Sequence, residues 1–300
     1  MAMKNILIGT MAKANAGTPD YIRNLGKLGF ECTEVTFGHD CSWLMSGIDL
    51  DAYAAACKQA VDDAGMEMSA LGVYGNPLID TEEGKTCLKS WEFLIDHCDK
   101  FGTKLICGFT GCVIGKPVPE SIPQYKAVFG DLSARAKEQG VRIAFENCPM
   151  GGNWKNCSWN IAFNPRAWEL MFEALPADNI GLEWEPAHQM MQLIDPMEQL
   201  KEWVGKIFHI HGKDGEIDRA KLAKFGICGE SFPGTHRNPG FGQCNWTDII
   251  SILRAGGFDG NIDIEGWHDA VYRGEWEMTA QVHSLNYLKN ARGGDYIPNF

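Results

Sequence analysis

The chain contains no apolar run approaching the roughly 18 residues needed to cross a bilayer. Its first residues, Met-Ala-Met-Lys, lack the charged, apolar and cleavable segments of a secretory leader, so the cytoplasm is the expected location and no membrane is expected as a partner. Basic residues are in the minority: 27 Lys and Arg against 39 Asp and Glu leave a formal net charge of −12. Affinity for a phosphate backbone comes from basic side chains displacing condensed counterions, so nucleic acid is not an expected partner either. No two cysteines stand at CxxC spacing, and their total of 11 is odd, which argues against a disulfide framework in a chain of 300 residues. Most are expected to be buried, reduced thiols; Cys148 stands out because it follows Glu146 by two positions. Also missing is a GxGxxG after the first β-like run, where GTMAKANAGTPD stands instead. That omission disfavours an open, doubly wound dinucleotide-binding sheet.

What is present is an alternation of β-like runs and helical periodicity in a chain with 45% hydrophobic and 22% charged residues. Strands are expected near 5–10, 31–37, 67–74, 104–110, 142–147, 180–185, 207–212 and 261–266. Helices are expected at 19–28, 50–64, 85–101, 121–139, 165–174, 196–204, 246–255 and 278–288. Thr18 and Asn164 each precede a proline, as a capping side chain does at a helix start. Gly29, Gly65, Gly102 and Gly140 recur every 36 to 38 residues where helices would stop, a period that fits one β/α unit. Eight such units predict an α/β fold, a single (β/α)8 TIM barrel over residues 1–300, with its active site at the C-terminal strand ends. The connection 212–245 is long and rich in Gly, Pro and aromatics, the character of a functional lid, and residues 291–300 form a short tail.

Four of the expected strands end on a potential metal ligand: IAFENCP with Glu146, GLEWEPAH with Glu185, FHIHGKD with His211 and NIDIEGWH with Glu265. A lone Glu at a strand end is more often a cap or ion-pair partner, and a lone His is more often a hydrogen-bonded core residue. Together the four are another matter, because three carboxylates facing one cavity without a cation would raise one another's pKa. The mostly oxygen donor set suits Mn²⁺ first, with Mg²⁺, Co²⁺ or Zn²⁺ as alternatives. Residues two apart on a strand share a face, which places Glu183, His209 and Asp263 behind the ligands as orienting partners. His188 is expected on the rim, within reach of substrate. Of Trp154, Trp159, Trp184 and Trp267, Trp184 should point away from Glu185, and Trp267 is the better platform for an apolar ligand face.

The elements VTFG (35–38), ExxP at Glu146, WEPAH (184–188), HxHxKD (209–214), RNPGFGxxxW (237–246) and IEGW (264–267) stand in an order and spacing that spans essentially the whole chain. In these elements the chain resembles the xylose-isomerase-like TIM-barrel superfamily, the sugar phosphate isomerase/epimerase group, which also includes AP endonucleases of the endonuclease IV type. The resemblance implies that Glu146, Glu185, His211 and Glu265 hold a divalent metal ion and that His188 and Arg237 contact sugar oxygens. One departure is Glu185, since that position is commonly Asp in the family.

Ketose epimerases of the superfamily use two carboxylates on opposite faces of a keto sugar to remove and return the proton next to the carbonyl. By resemblance, Glu146 and Glu265 are the catalytic pair of a metal-dependent isomerase or epimerase. Some relatives instead cleave 3-keto-glycosides, carbon- or oxygen-linked, by β-elimination, often with a small partner subunit, and the loops 108–121 and 150–160 would suit an aryl aglycone. The endonuclease reading is poorer, because the third and fourth strand ends, VYGNP and GFTGC, lack histidine. A non-catalytic sugar-binding barrel is the remaining alternative. No Gly-rich phosphate loop follows the last strands, which favours an unphosphorylated sugar or glycoside as the small-molecule partner. A homo-oligomer is also compatible with such a barrel.

Overall fold

The computed structural model describes residues 5–293 and 297–298. Residues 1–4, and half of the tail expected at 291–300, lie outside the described residues, and the final helix, Glu277–Arg292, already occupies the start of that tail. The strands are β1 (Ile8–Lys13), β2 (Cys32–Thr36), β3 (Glu67–Val73), β4 (Leu105–Gly108), β5 (Arg142–Glu146), β6 (Ile180–Trp184), β7 (Ile207–Gly212), β8 (Asp214–Ile217), β9 (Gly234–Arg237) and β10 (Ile262–Ile264). Eight of them close into a parallel barrel in the order β1-β10-β7-β6-β5-β4-β3-β2, with helices between successive strands. The fold is a TIM barrel of the α/β class. Among the described residues no helix is long and apolar enough to cross a membrane.

Each of the eight expected β-like runs overlaps a barrel strand, with one displacement. β1 begins at Ile8 rather than residue 5, because its ladder to β10 starts at the Ile8–Ile262 pair. Just before it, the Leu7 carbonyl accepts the Ile262 amide of β10 at 3.0 Å. Helix boundaries follow local chemistry. The Asn164 side chain accepts the Ala167 amide at 3.0 Å, as a capping residue does. Thr18 does not cap: its helix, Thr18–Leu28, is preceded by Gly17. The Thr18 hydroxyl instead donates to the Lys13 carbonyl and accepts the Asn15 amide, both at 2.8 Å. The Asn15 side chain already turns this loop by accepting the Gly17 amide. Gly65 and Gly102 sit at φ 65° and 86°, the left-handed region that ends a helix and strains any side chain larger than hydrogen.

The main apolar core lies between the strands and the surrounding helices, where Trp91, Trp168, Trp246, Phe129 and Phe145 are fully buried. The barrel interior differs from the usual layers of branched aliphatic side chains. At mid-height it holds Glu34, Glu183, His209 and Asp263, all inaccessible to solvent. Small residues on intervening strands make room for them: a Cβ on Gly9 would collide with the Asp263 carboxylate, and one on Gly72 with that of Glu34. Between β7 and β10 the chain leaves the barrel as an antiparallel ribbon of β8 and β9, paired from Asp214–Arg237 to Ile217–Gly234, with the helix Arg219–Phe225 at its far end. This excursion occupies the connection expected as a lid.

Candidate metal centre

Consecutive strand ends deliver the donor groups. Glu146 closes β5, Glu185 follows β6 and opens the short helix Pro186–Met191, His211 lies in β7, and Glu265 follows β10. One donor atom from each of these four buried residues lies within 4.8 Å of the others. Neighbouring asparagines fix the backbone on which two of them stand. Asn147 donates to the Glu185 carbonyl at 2.8 Å and accepts its amide at 2.7 Å. Asn160 reaches back from the following loop to donate to the carbonyls of Glu146 and Cys148, each at 2.8 Å.

His211 stands between two layers of charge. Its Nδ1 is 3.5 Å from both Glu146 Oε1 and Glu265 Oε2, and its Nε2 is 3.0 Å from Glu34 Oε2 and 3.1 Å from Glu183 Oε1. Lys213, two residues further on, brings Nζ to 3.0 Å from Glu265 Oε1 and 3.7 Å from Glu185 Oε1. From the rim, His188 Nε2 lies 3.3 Å from Glu185 Oε1 and 3.7 Å from Glu146 Oε1, while His268 Nδ1 is 3.0 Å from Glu265 Oε1.

These contacts divide the protons unevenly. Burial drives the Glu185 carboxyl well above its ordinary value; Lys213 opposes the rise, and the negative neighbours Glu265 and Glu146 add to it. Burial would raise Glu146 too, but the nearby His188 and His211 rings outweigh that and hold it below the usual value. At Glu265 the Lys213 charge and the His268 bond overcome burial and hold the carboxyl well below. Burial alone would neutralise His211; the surrounding carboxylates, Glu183 foremost, raise it well above a free imidazole.

The donor set fits a divalent cation. Both carboxylate oxygens of Glu185, Nδ1 of His211 and Oε2 of Glu265 are buried without a hydrogen-bond partner, an arrangement that is costly unless something positive occupies the space between them. A second group, Glu34, Cys107, Glu183 and His209, is as tightly gathered. Its polar atoms are already engaged: His209 Nδ1 with Glu183 at 2.8 Å, the Tyr74 hydroxyl 2.6 Å from Glu34 and 3.0 Å from Glu183, and the Cys107 thiol with Glu183. Charge and hydrogen bonds there are satisfied from within.

Glu183, His209 and Asp263 do stand behind the donor layer, and they form a continuous chain. His209 bridges Glu183 and Asp263 at 2.8 Å on each side, and Asp263 also accepts from Ser69 and from the Cys32 thiol. Of the three, Glu183 pairs with a donor, His211, and the His209 ring stands edge-on to that same imidazole. Above the cluster opens a cavity of about 860 Å³ lined by Glu146, His188, His211, Glu265 and Trp267, among others. Arg237 does not line it. On the ribbon that side chain is held by Glu216 at 2.7 Å and Asp269 at 3.3 Å, and its neighbour His236, on the opposite face of β9, lines the cavity instead. Trp184 points outward, its indole donating to Gln199 at 2.7 Å. Trp159 backs the cavity wall by donating to the Tyr74 carbonyl, and Trp154 packs on the main core.

Glu34, Lys213 and Asn147 escaped the sequence reading. Glu34 interrupts the β-branched run CTEVT, and a carboxylate inside a strand buried on both faces is the one signal that could have identified it. Lys213 has the same strand parity as His209 and His211, which the HxHxKD element already contained.

A parallel eight-stranded barrel with carboxylates and an imidazole converging at its C-terminal mouth defines a class of metal-compatible TIM barrels. Within that class, the chain belongs to the xylose isomerase-like TIM barrel family, whose model matches residues 22–291. It is similar to the uncharacterized protein YfiH of Bacillus subtilis (strain 168), with 25% identity over 279 residues, 82% of this chain and 87% of that protein. In fold it is similar to 3-keto-D-glucoside 4-epimerase, YcjR, from E. coli, with a TM-score of 0.70 and 16% identity over 95% of this chain and 99% of that one. It is also similar to D-psicose 3-epimerase, solved in the presence of D-fructose, with a TM-score of 0.71 and 14% identity over 96% of this chain and 100% of that one. At these identities the likeness to the two epimerases is one of fold.

Proposed function

We propose that this protein is a divalent-metal-dependent sugar isomerase or epimerase that moves a proton on the carbon next to a carbonyl. The observation that carries this reading is the set of orphaned, buried donor atoms on Glu185, His211 and Glu265 beside the Glu146 carboxylate. Glu146, Glu185, His211 and Glu265 would hold the ion, Mn²⁺ in the first instance. A bound divalent ion supplies electrostatic stabilisation of the negative charge that develops on the carbonyl oxygen as the proton leaves.

The remaining chemistry belongs to the protein. Glu146 and Glu265 flank His211 at equal distance and are both held in the ionised form, as a base that must accept a proton requires. One removes the carbon-bound proton and later releases it to solvent; the other first takes up a proton from solvent and returns it to the opposite face, so that each turnover is proton-neutral. His188, buried on the rim and kept neutral by burial and the nearby Lys213 charge, is placed to donate a hydrogen bond to a sugar oxygen. Trp267 would carry a sugar C–H face. The ribbon β8–β9, with Phe232 and His236 on the cavity wall, would act as the lid that excludes water. The epimerase activities of the two enzymes similar in fold support the reading.

The test is solvent exchange. Protein stripped of metal and reloaded with Mn²⁺ is incubated in D₂O with a panel of free ketoses and 3-keto-glycosides. Deuterium is expected at the carbon next to the carbonyl of recovered sugar, with exchange lost on chelation and reduced by about 10²-fold or more in Glu146→Gln and Glu265→Gln. Absence of exchange with every substrate, from protein that binds the metal, counts against the proposal. Release of the aglycone alongside exchange would assign β-elimination, which the same base would begin.

A further inference from the structure

Basic residues are outnumbered in the chain as a whole, yet five of its eight histidines line the cavity together with Lys13 and Lys213. Lys213 is engaged by Glu265 and Glu185. Lys13 is not: among the described residues its ammonium has no carboxylate partner, and it stands 5.1 Å from the centroid of the Trp267 ring. Strand alternation aims it inward. Gly9, Met11 and Lys13 share one face of β1; the first abuts Asp263 inside the barrel, the second lines the cavity, and the third reaches its rim.

Two further polar groups stand on the β1–β2 side. Thr36, one alternation above Glu34 on β2, lines the cavity and accepts the Gly38 amide at 3.3 Å, which leaves its hydroxyl proton to donate. His39, also on the cavity wall, holds Nδ1 2.9 Å from the Tyr74 carbonyl. A carbonyl only accepts, so Nδ1 carries the proton there and, in the neutral ring, Nε2 is left as an acceptor. Two donors, an ammonium and a hydroxyl, beside an imidazole acceptor match a 2-hydroxy carboxylate. Its carboxylate oxygens accept from Lys13 and Thr36, and the neighbouring hydroxyl donates to His39. We infer that the substrate is a sugar acid, a polyhydroxy keto acid whose carbonyl lies on the donor cluster and whose carboxylate end lies on Lys13, Thr36 and His39. One cation answers one negative charge, strengthened by the low-dielectric walls of a cleft. A phosphate monoester, with a charge of about −2 at neutral pH, would be only half matched, and no arginine among the described residues lines the cavity. The inference rests on the reading of the donor cluster as the carbonyl site, and it adds the group carried at the far end of the substrate.

Paired ketoses test it by binding, without turnover. D-Fructose and D-fructuronate, and D-tagatose and D-tagaturonate, differ only in whether the terminal carbon is a hydroxymethyl group or a carboxylate. Each is titrated calorimetrically into protein in saturating Mn²⁺. The acid of at least one pair is expected to bind about tenfold or more tightly than its parent ketose. Lys13→Met keeps an apolar side chain on Trp267 and should reduce that ratio to about threefold or less, while Lys13→Arg should keep it. Thr36→Val provides a second variant should Lys13→Met fold poorly, and it should lower the ratio as well. A carboxylate bound directly by the metal would also give a preference, but one indifferent to Lys13, so a ratio unchanged in Lys13→Met overturns the inference. Equal affinity within both pairs, tighter binding of D-fructose 6-phosphate than of either acid, or no binding by any probe does the same. A separate Mn²⁺ titration distinguishes the two readings: a Lys13-dependent preference in protein that binds no divalent ion would sink the proposed metal chemistry and leave the carboxylate site standing.

Discussion

Glu34 Oε2 lies 3.0 Å from Nε2 of His211 and thereby leaves Nδ1 of the same ring to face Glu146 and Glu265. The two residues are 177 positions apart in the chain. The carboxyl is itself pushed up to about 7, by burial and the neighbouring Glu183 charge against the pull of the histidines. Partners of this kind hold the ring and its tautomer in place for a ligand. Glu34→Gln is expected to weaken Mn²⁺ binding by about 10- to 100-fold in a calorimetric titration. Unchanged affinity in a folded variant would reduce Glu34 to a packing residue.

Lys213 compensates the donor layer in the absence of a cation, through Glu265 and Glu185. Replacing it with methionine keeps most of the side-chain volume and removes the charge. Lys213→Met should destabilise the protein in chelator by about 3 kcal/mol, the cost of leaving buried carboxylates uncompensated. It should also tighten Mn²⁺ binding by about tenfold, since a like charge leaves the site. Denaturant unfolding in chelator and metal titration measure the two effects, and a loss of metal affinity would contradict the second.

Asn160 is fully buried and ties β4 and β5 together: it donates to the Glu146 and Cys148 carbonyls and accepts from the Thr110 amide at 3.2 Å. Asn160→Ala leaves several buried polar groups without partners and is expected to cost about 3 kcal/mol in urea unfolding. Protease cleavage in the 150–160 loop should accelerate with it. A variant within about 0.5 kcal/mol of the parent would show the bonds to be replaceable by water.

At the opposite end of the barrel Glu31 joins the last helix to the first strand, 2.6 Å from Arg292 and accepting the Ile8 amide at 2.9 Å. Burial would raise this carboxyl, but the Arg292 and Ile8 bonds outweigh it and hold it below its ordinary value. A group depressed on folding contributes stability that is complete above its unfolded value and lost as the pH falls through its folded value. Glu31→Gln should therefore cost about 1 kcal/mol at pH 7. The difference from the parent should shrink in acid as that carboxyl is protonated. A gap that stayed constant from neutral pH into acid would refute the linkage.

Strand positions and the barrel were legible because each depends on local pattern: apolar runs of strand length, and glycines such as Gly65 and Gly102 at helix ends. The convergence of Glu146, Glu185, His211 and Glu265 was legible for a related reason, since parallel strands of one barrel end on the same face. Arg237 shows where such reasoning stops. Which of two adjacent residues on β9 enters the cavity depends on the ribbon's pairing with β8 and on Glu216 and Asp269, neither of which has a signature at Arg237 itself. Lys213 was obscured by its type, because lysine is almost never fully buried without a partner. Its partners, Glu185 and Glu265, are 28 and 52 residues away by their numbering. The β1 start and the Thr18 helix entry were set by ladder register and by Asn15, contacts that only the assembled chain creates.

The buried polar layer at mid-barrel bears on how this architecture can change. An interior packed with methyl groups tolerates swaps that conserve volume. A layer in which His209 needs both Glu183 and Asp263, and Gly9 must stay small beside Asp263, tolerates few single replacements, because each strands a charge or closes its space. Exposed side chains of the rim such as Phe232 line the cavity outside that layer. Divergence is therefore channelled to the rim, where the choice of guest can drift residue by residue while the reactive floor is inherited as one unit.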